Sequence, residues 1–84
     1  MTLEEIEKKI TNGILRDVNN EWQSEYDLYE MVYGRRPCAE VISREEREEK
    51  WRTLNDAIIK LLKRGILFQF NNGYNCYCYK LKGL

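Results

Sequence analysis

The residues of this chain that could bind a metal or carry out covalent chemistry are three cysteines, two of which form the pair Cys76-x-Cys78. A structural zinc site usually needs four cysteine or histidine ligands, but the chain has no histidine and Cys38 is distant in sequence. A disulfide between alternate residues of one strand is unfavourable, because their Cα atoms lie about 6.6 Å apart, near the upper limit for a bridge. The pattern therefore predicts free thiols that pack as small apolar residues, with no metal and no cofactor.

The side chains that enzymes most often use for acid-base catalysis are missing. Histidine is the commonest general base and the usual activator of serine or cysteine nucleophiles, and the chain contains none. Acidic pairs such as Glu45 and Glu49 are expected on an open helical face, without the burial that tunes a catalytic carboxyl group. The sequence therefore predicts a protein that binds a partner and is not an enzyme.

Charged residues are balanced in number but unevenly distributed. The chain carries fourteen Lys or Arg and fourteen Asp or Glu residues. Residues 1–42 contain nine acidic and five basic side chains, whereas residues 43–84 contain five acidic and nine basic ones. An acidic half beside a basic half indicates an anionic partner or head-to-tail self-association. An ordinary solvated surface would give the same distribution.

Length and composition predict one small domain that spans residues 1–84. The apolar fraction of 43% is sufficient for a globular core. No apolar run approaches the roughly 20 residues that a membrane-spanning helix needs, and the acidic, amphipathic start of the chain does not resemble a signal peptide. Together with the odd number of cysteines, these features predict a cytoplasmic protein.

Three segments have the pattern of a helix start. A hydroxyl residue stands three positions before a carboxylate at Thr2, Ser24 and Ser43, and each begins a segment with helical apolar spacing. The hydroxyl can accept a hydrogen bond from a free N–H of the first turn, and the carboxylate can reach back to the cap. The predicted helices cover residues 3–18, 25–33 and 44–64. The residues expected to end them are Asn19-Asn20, Gly34 and Gly65.

The C-terminal region has the pattern of a β-hairpin over residues 66–81. Two strand-like runs flank Asn72-Gly73, and a two-residue turn there would pair Asn71 with Tyr74. That register places Phe68 opposite Tyr77 and Ile66 opposite Tyr79. The inner face would then contain Ile66, Phe68, Phe70, Tyr77 and Tyr79, and the outer face Leu67, Gln69, Cys76 and Cys78. The core expected between the third helix and the hairpin is Trp51, Leu54, Ile58, Leu62, Phe68 and Tyr77.

The stretch Trp51–Leu81 resembles the recognition helix and wing of the winged helix-turn-helix family. In LNDAIIKLLKRGILFQFNNGYNCYCYKL a leucine-rich helix end meets Arg-Gly-aliphatic, then a strand, a glycine turn and a tyrosine-rich strand. The predicted order of helix, helix, longer helix and hairpin is also that of the family. The resemblance implies an α+β fold, a three-helix winged-helix-like domain with a C-terminal β-hairpin wing.

The resemblance further implies a small transcriptional regulator that binds double-stranded DNA. The N-terminal half of helix 44–64 would enter the major groove, and hairpin 66–81 would be the wing. The matching helix positions are Arg44, Arg47, Lys50, Arg52 and Thr53, among which arginine can bond both acceptors of a guanine. The residues expected near phosphates are Arg35 and Arg36 in the preceding turn and Lys80 beside the wing. One short domain makes few DNA contacts, so a homodimer is expected, with the N-terminal helix as its first-choice interface.

A second hypothesis is a protein–protein interaction module built on the same scaffold. Four glutamates alternate with the basic residues of the third helix, at positions 45, 46, 48 and 49, and the predicted wing tip is neutral. The helix would then be a solvated one with ion pairs Glu46–Lys50 and Glu48–Arg52. Under this hypothesis Trp22 is an anchor for the partner, because aromatic residues dominate protein interfaces.

Overall fold

Three helices and a three-stranded antiparallel sheet make up the part of the chain that the computed structural model describes, which is residues 1–16, 22–71, 73 and 77–81. The helices are α1 (Leu3–Arg16), α2 (Glu25–Tyr33) and α3 (Arg44–Lys63), with a 3-10 turn at Pro37–Ala39. The strands are β1 (Gln23–Ser24), β2 (Leu67–Asn71) and β3 (Tyr77–Leu81). The predicted α+β fold of three helices followed by a C-terminal hairpin is confirmed.

The helices begin where the hydroxyl residues predicted them to begin. Thr2, Ser24 and Ser43 each accept a hydrogen bond of 3.2 Å from the backbone N–H three residues later. At Ser24 both bonds of a reciprocal capping box are present, because the Ser24 N–H also donates to Asp27 Oδ2 at 2.9 Å. Each hydroxyl therefore satisfies a first-turn N–H that the helix itself leaves without a partner.

The Ser24 cap gives a test of how much burial strengthens a capping bond. Ser24→Ala removes the bond from the Asp27 N–H, which is part-buried, and leaves the backbone N–H of residue 24 bonded to Asp27. It is expected to lower the free energy of unfolding by about 1–2 kcal/mol, at the upper end of the range for N-caps. Ser43→Ala, which removes the same kind of bond from an exposed cap, is the matched control and should cost about 0.5–1 kcal/mol. Urea denaturation of both variants measures the difference, and equal losses would mean that burial of the Ser24 cap adds nothing.

The helix ends also follow the local sequence. Gly34 follows α2 in the left-handed conformation and donates its N–H to the Glu30 carbonyl at 2.8 Å. Gly65, with φ of 72°, lets the chain reverse after α3, so that the Ile66 N–H donates to the Leu61 carbonyl at 2.9 Å. Helix α3 ends one residue earlier than predicted, and the predicted end of the first helix at residues 17–20 lies outside the described residues.

Strand β1 is an element that the sequence did not predict. Gln23 pairs with Tyr79 and Ser24 with Cys78, so the sheet order is β1-β3-β2. Two residues are too few to show an alternating pattern. The pairing instead arises because the chain before α2 passes along β3, and Gln23 becomes buried there.

The predicted hairpin register is wrong. Asn71 pairs with Tyr77, and the pairing continues through Gln69–Tyr79 to Leu67–Leu81. Five residues therefore separate the paired strands, so the predicted pairs Asn71–Tyr74, Phe68–Tyr77 and Ile66–Tyr79 are not formed. The predicted turn at Asn72-Gly73 lies partly outside the described residues. The turn motif is a local preference, whereas the register is set by which side chains the helices bury.

The inner face of the hairpin is consequently different from the predicted one. Leu67 and Tyr79 are each 3% exposed and pack into the helical core, whereas Phe68 and Phe70 lie on the outer face. Of the predicted core residues, Leu54 and Ile58 are buried, Trp51 and Leu62 are half-buried against the core, and Phe68 and Tyr77 are exposed. The buried apolar core consists of Ile6, Ile10, Ile14, Leu28, Tyr29, Val32, Leu54, Ala57, Ile58, Leu61, Leu67 and Tyr79. None of the described helices is long and apolar enough to cross a bilayer.

Candidate functional site

The solvent-facing side of α3 is a continuous stripe of polar and apolar side chains. Helical spacing places every third or fourth residue on one face, and the core takes the face that contains Leu54, Ala57, Ile58 and Leu61. One stripe of the solvent-facing side, here called the α3 outer face, consists of Arg44, Glu48, Arg52, Asn55, Ile59 and Lys63, all of which are exposed. The exposed acidic residues Glu45, Glu49 and Asp56 lie beside this stripe on the same side of the helix.

Two of the predicted helix contacts, Arg44 and Arg52, lie on the α3 outer face. The side chain of Arg44 is 91% exposed, and its Nε lies 3.1 Å from the Glu48 carboxylate one turn later. An exposed pair of this kind contributes little to stability, because water solvates both partners well. Arg52 is exposed and forms no ion pair with any described residue. Both guanidinium groups can therefore bind an external acceptor at small cost.

Two other predicted contacts, Arg47 and Lys50, point instead toward the segment that precedes α3. Lys50 Nζ lies 2.6 Å from Glu40 Oε2 and 4.8 Å from the centre of the Tyr33 ring. Arg47 donates to the Glu40 carbonyl at 3.3 Å. These contacts attach the segment between the 3-10 turn and α3 to the helix. The structure thus gives Arg47 and Lys50 a positioning role.

Glu40 is the centre of this cluster, which we call the Glu40 cluster and which also contains Tyr29, Tyr33, Arg47 and Lys50. Its side chain is 8% exposed. The hydrogen bond from Lys50 and the nearby Tyr29 hydroxyl favour the carboxylate and outweigh its burial, so the pKa of Glu40 lies below its ordinary value. Burial, together with the neighbouring Glu40 charge, raises the pKa of Tyr29 far above its usual range. The cluster is therefore an ionic contact built into the body of the fold.

The Glu40 cluster also contains polar atoms that are buried without ideal hydrogen bonds. Tyr29 Oη, Glu40 Oε1 and Arg47 Nε lack a partner with hydrogen-bond geometry in the described structure. Buried polar groups of this kind are costly to leave unsatisfied. All three belong to one cluster and carry complementary donors and acceptors, so small side-chain rotations can pair them.

Thr53, the fifth predicted helix contact, does not lie on the α3 outer face. Its hydroxyl donates to the Glu49 carbonyl at 2.9 Å, within the same helix. Thr53 also lines a shallow cleft with Met1, Ile6 and Tyr33, on the side of α3 that approaches α1 and α2. A threonine bonded to its own helix in this way has used its donor locally.

The two arginines of the turn after α2 have different surroundings. Arg36 lies 2.8 Å from Asp27 Oδ1 and 3.1 Å from Glu30 Oε2, so it is bound to α2 by two carboxylates. Burial of Asp27 opposes its ionisation, but hydrogen bonds from Ser24 and Arg36 outweigh that effect and hold the pKa of Asp27 below its ordinary value. Arg35 is exposed. Arg35 is thus available to an external anion, whereas Arg36 would have to leave two carboxylates.

Lys80, the predicted contact beside the wing, lies on the outer face of the sheet. Its Nζ is 5.0 Å from the centre of the Trp22 ring, a cation–π distance. Trp22 in turn packs against Phe70, with 5.5 Å between ring centres. Residue 22, which had no predicted helix face, is therefore part of an aromatic patch formed by Trp22, Phe68 and Phe70.

Three residues of these sites were not predicted from the sequence. Asn55 and Ile59 lie on the α3 outer face, and their spacing from Arg44 and Arg52 on a helical wheel was a usable signal. Glu40 had no such signal, because its contacts with Tyr29, Arg47 and Lys50 depend on how the segment before α3 folds back. The observed ion pairs are Arg44–Glu48, within α3, and Lys50–Glu40, which joins α3 to the segment before it. The expected pairs Glu46–Lys50 and Glu48–Arg52 are not formed between these described residues.

The cysteines do not assemble into a ligand set within the described residues. Cys38 is exposed, Cys78 is half-buried, and both are free thiols. Among the residues that the structure describes, no group of three or more cysteine, aspartate or glutamate side chains is arranged to hold a metal ion. Cys76 lies outside the described residues.

Comparison with known proteins gives no relative from which to transfer a function. No family model matches the chain, and neither a curated protein nor a solved structure is significantly similar to it. The α3 outer face, the Glu40 cluster and the aromatic patch are therefore the features that indicate a function.

Proposed function

We propose that this protein is a small DNA-binding regulator of the winged-helix type, with the α3 outer face in the major groove. The observation that carries the proposal is the composition of that face, which combines Arg44, Arg52 and Asn55 with Ile59 on a helix whose opposite side is the core. Arginine can bond guanine through two acceptors, asparagine can do the same with adenine, and an apolar side chain can contact the thymine methyl group.

The electrostatics of α3 are compatible with this role despite the zero net charge of the chain. Within the α3 outer face the acidic residue is Glu48, which is already paired with Arg44 in an exposed contact. Glu45, Glu49 and Asp56 lie beside the face and are exposed, so salt screens their charges. Exchange of that partner for a phosphate or a base edge costs little, because surface ion pairs contribute at most about 1 kcal/mol. Lys63 and Arg35 add positive charge at the end of α3 and in the turn before it.

The proposed contact set is smaller than the one that the family resemblance implied. Arg44, Arg52 and Arg35 remain as contacts, joined by Asn55 and Lys63. Arg47 and Lys50 instead hold the Glu40 cluster, and Thr53 is bonded within its helix. Recognition by so few side chains favours a protein that binds as a homodimer, since two copies double the contacts. The free thiols of Cys38 and Cys78 suit the reducing cytoplasm.

Binding to a mixed-sequence duplex tests the proposal. We expect retardation of the duplex at low salt and a steep loss of affinity as salt rises, because bound Lys and Arg release counterions. Arg44→Ala/Arg52→Ala should weaken binding at least about tenfold, since two cations that would neutralise phosphates are lost from the DNA-facing helix. Thermal melting of the variant should be nearly unchanged, because both side chains are exposed.

The matched control removes the same charge from another face. Lys8 and Arg16 are exposed on α1, so Lys8→Ala/Arg16→Ala loses two positive charges and leaves α3 intact. Its affinity for the duplex should fall less than that of the α3 variant. No retardation by the parent protein at tens of micromolar, roughly the upper range of non-specific affinities, would rule out DNA binding.

A specific observation favours the alternative of a protein-interaction module. Arg36 and Lys50 are held by carboxylates of the same chain, while Trp22, Phe68 and Phe70 are grouped on the outer face of the sheet. Absence of duplex binding would favour this alternative over DNA binding. An equal loss of affinity in the α1 and α3 double variants would instead mean that DNA is bound without a special role for the α3 outer face.

A further inference from the structure

Strand β2 is the edge of the sheet to which a further strand could be added. In the order β1-β3-β2, strand β3 pairs with one side of β2, and no described strand pairs with the other. The opposite edge, β1, has two residues and continues directly into α2. An extended edge such as β2 is a template for pairing with another chain.

Strand β2 lacks the features by which edge strands usually avoid such pairing. Its sequence, Leu-Phe-Gln-Phe-Asn, has no charged residue and no proline. Pairing with β3 advances one residue at a time from Leu67–Leu81 to Asn71–Tyr77, so no bulge twists the edge away. On its outer face Phe68 is 43% exposed and Phe70 is 54% exposed. The strand is therefore free of bulges, uncharged and apolar on its outer face.

We propose that two copies of this chain pair through β2, antiparallel and centred on Gln69, to form one continuous sheet across a two-fold dimer. The segment Phe68-Gln69-Phe70 reads the same in both directions. Pairing about Gln69 therefore places Phe68 of each copy opposite Phe70 of the other, on the same outer face. Aromatic cross-strand pairs of this kind stabilise antiparallel sheets.

The symmetric sequence Phe68-Gln69-Phe70 favours a second copy of this chain over an unrelated peptide as the partner of β2. A shift of the register by one residue would bring outer-face side chains opposite inner-face ones, and strand pairing excludes that. The absence of charge from β2 means that two copies do not repel each other along the strand. Trp22, packed on Phe70, extends the aromatic contact on both sides of the two-fold axis.

The surface of α1, the interface that sequence analysis preferred, is less suitable. That expectation was based on an apolar stripe longer than a small core needs. In the structure Ile6, Ile10 and Ile14 of the stripe are buried in the core of the same chain. Leu15 is an exposed apolar side chain on α1 and gives a direct comparison with the β2 strand.

Sedimentation equilibrium of three proteins tests the proposal. The parent protein is expected to show a concentration-dependent dimer, with micromolar dissociation because one short strand is a small interface. Phe70→Lys places a charge on the edge and should shift the protein to monomer, with a dissociation constant raised at least about tenfold. Leu15→Lys introduces the same charge on α1 and should leave the dimer intact. Thermal melting of each variant confirms that it folds.

A charge-swap mixture tests the register. Phe68→Glu should also be monomeric by itself, but a mixture with Phe70→Lys should form a heterodimer, because residue 68 of one copy faces residue 70 of the other. The proposal is overturned if the parent is monomeric at hundreds of micromolar, if Phe70→Lys dimerises normally, if Leu15→Lys abolishes the dimer, or if the mixture does not associate. The result does not depend on DNA binding, so either proposal can fail without the other.

Discussion

Leu67→Ala is expected to lower the free energy of unfolding by about 2–5 kcal/mol, enough to unfold much of a small domain. Leu67 is 3% exposed and fills the space between β2 and the helices, so its truncation leaves a cavity. The neighbouring Phe68→Ala is the matched control on the same strand. Although it removes a larger side chain, Phe68 faces outward, and its loss should cost about 1 kcal/mol or less.

This pair of variants distinguishes the observed hairpin from the one that local turn preference predicted. Urea denaturation at low protein concentration, where self-association contributes little, gives both free energies of unfolding. The predicted register buries Phe68 and exposes Leu67, so it requires the opposite order of effects. A larger loss for Phe68→Ala than for Leu67→Ala would show that the sheet faces the helices with the other side.

Lys50→Met is expected to cost about 3 kcal/mol, because it leaves the buried Glu40 carboxylate without its principal cation. Glu40→Gln is the comparison from the other side of the same pair. It should cost less, about 1–2 kcal/mol, because the amide oxygen still accepts from Lys50, which is closer to solvent. Equal losses in the two variants would argue that the carboxylate is better solvated than its burial indicates.

The Glu40 cluster also predicts the direction in which the stability of the fold changes with pH. The pKa of Glu40 is held below its ordinary value of 4.5 by the bond from Lys50, so folding favours the ionised form. The resulting stabilisation is fully present above about pH 4.5 and is lost as the pH falls toward the lowered pKa of the folded state. The melting temperature of Glu40→Gln should therefore fall less steeply than that of the parent protein as the pH is lowered. Part of the fall should remain, because the pKa of Asp27 is also lowered in the folded state.

Several features of the candidate site could be predicted from the sequence, and others could not. The exposed arginines Arg44 and Arg52 follow from helical spacing once α3 is placed, and the same spacing identifies Asn55 and Ile59. The positioning role of Arg47 and Lys50 does not follow from spacing. It requires the segment before α3 to return Glu40 to the helix, a contact that joins residues seven and ten positions apart across a turn.

The features that follow from the sequence without the rest of the fold are those that depend on neighbours within a few residues. The caps at Thr2, Ser24 and Ser43 and the reversals at Gly34 and Gly65 need a hydroxyl, or a residue that tolerates positive φ, at the right position, and each is observed. These interactions close within one helical turn, so the rest of the fold scarcely alters them.

The register of the hairpin, the face that it packs on the helices and the pairing of strand β1 depend on tertiary packing. A strand such as β2, which has apolar residues on both faces, can bury either side, and a register shift of an odd number of residues exchanges the two. Here the helices accept Leu67 and Tyr79, and this burial outweighs the local preference of Asn72-Gly73 for a tight turn. Phe68 and Phe70 are exposed as a result, because burial of one face of a sheet against a helical layer leaves the alternate residues on the other.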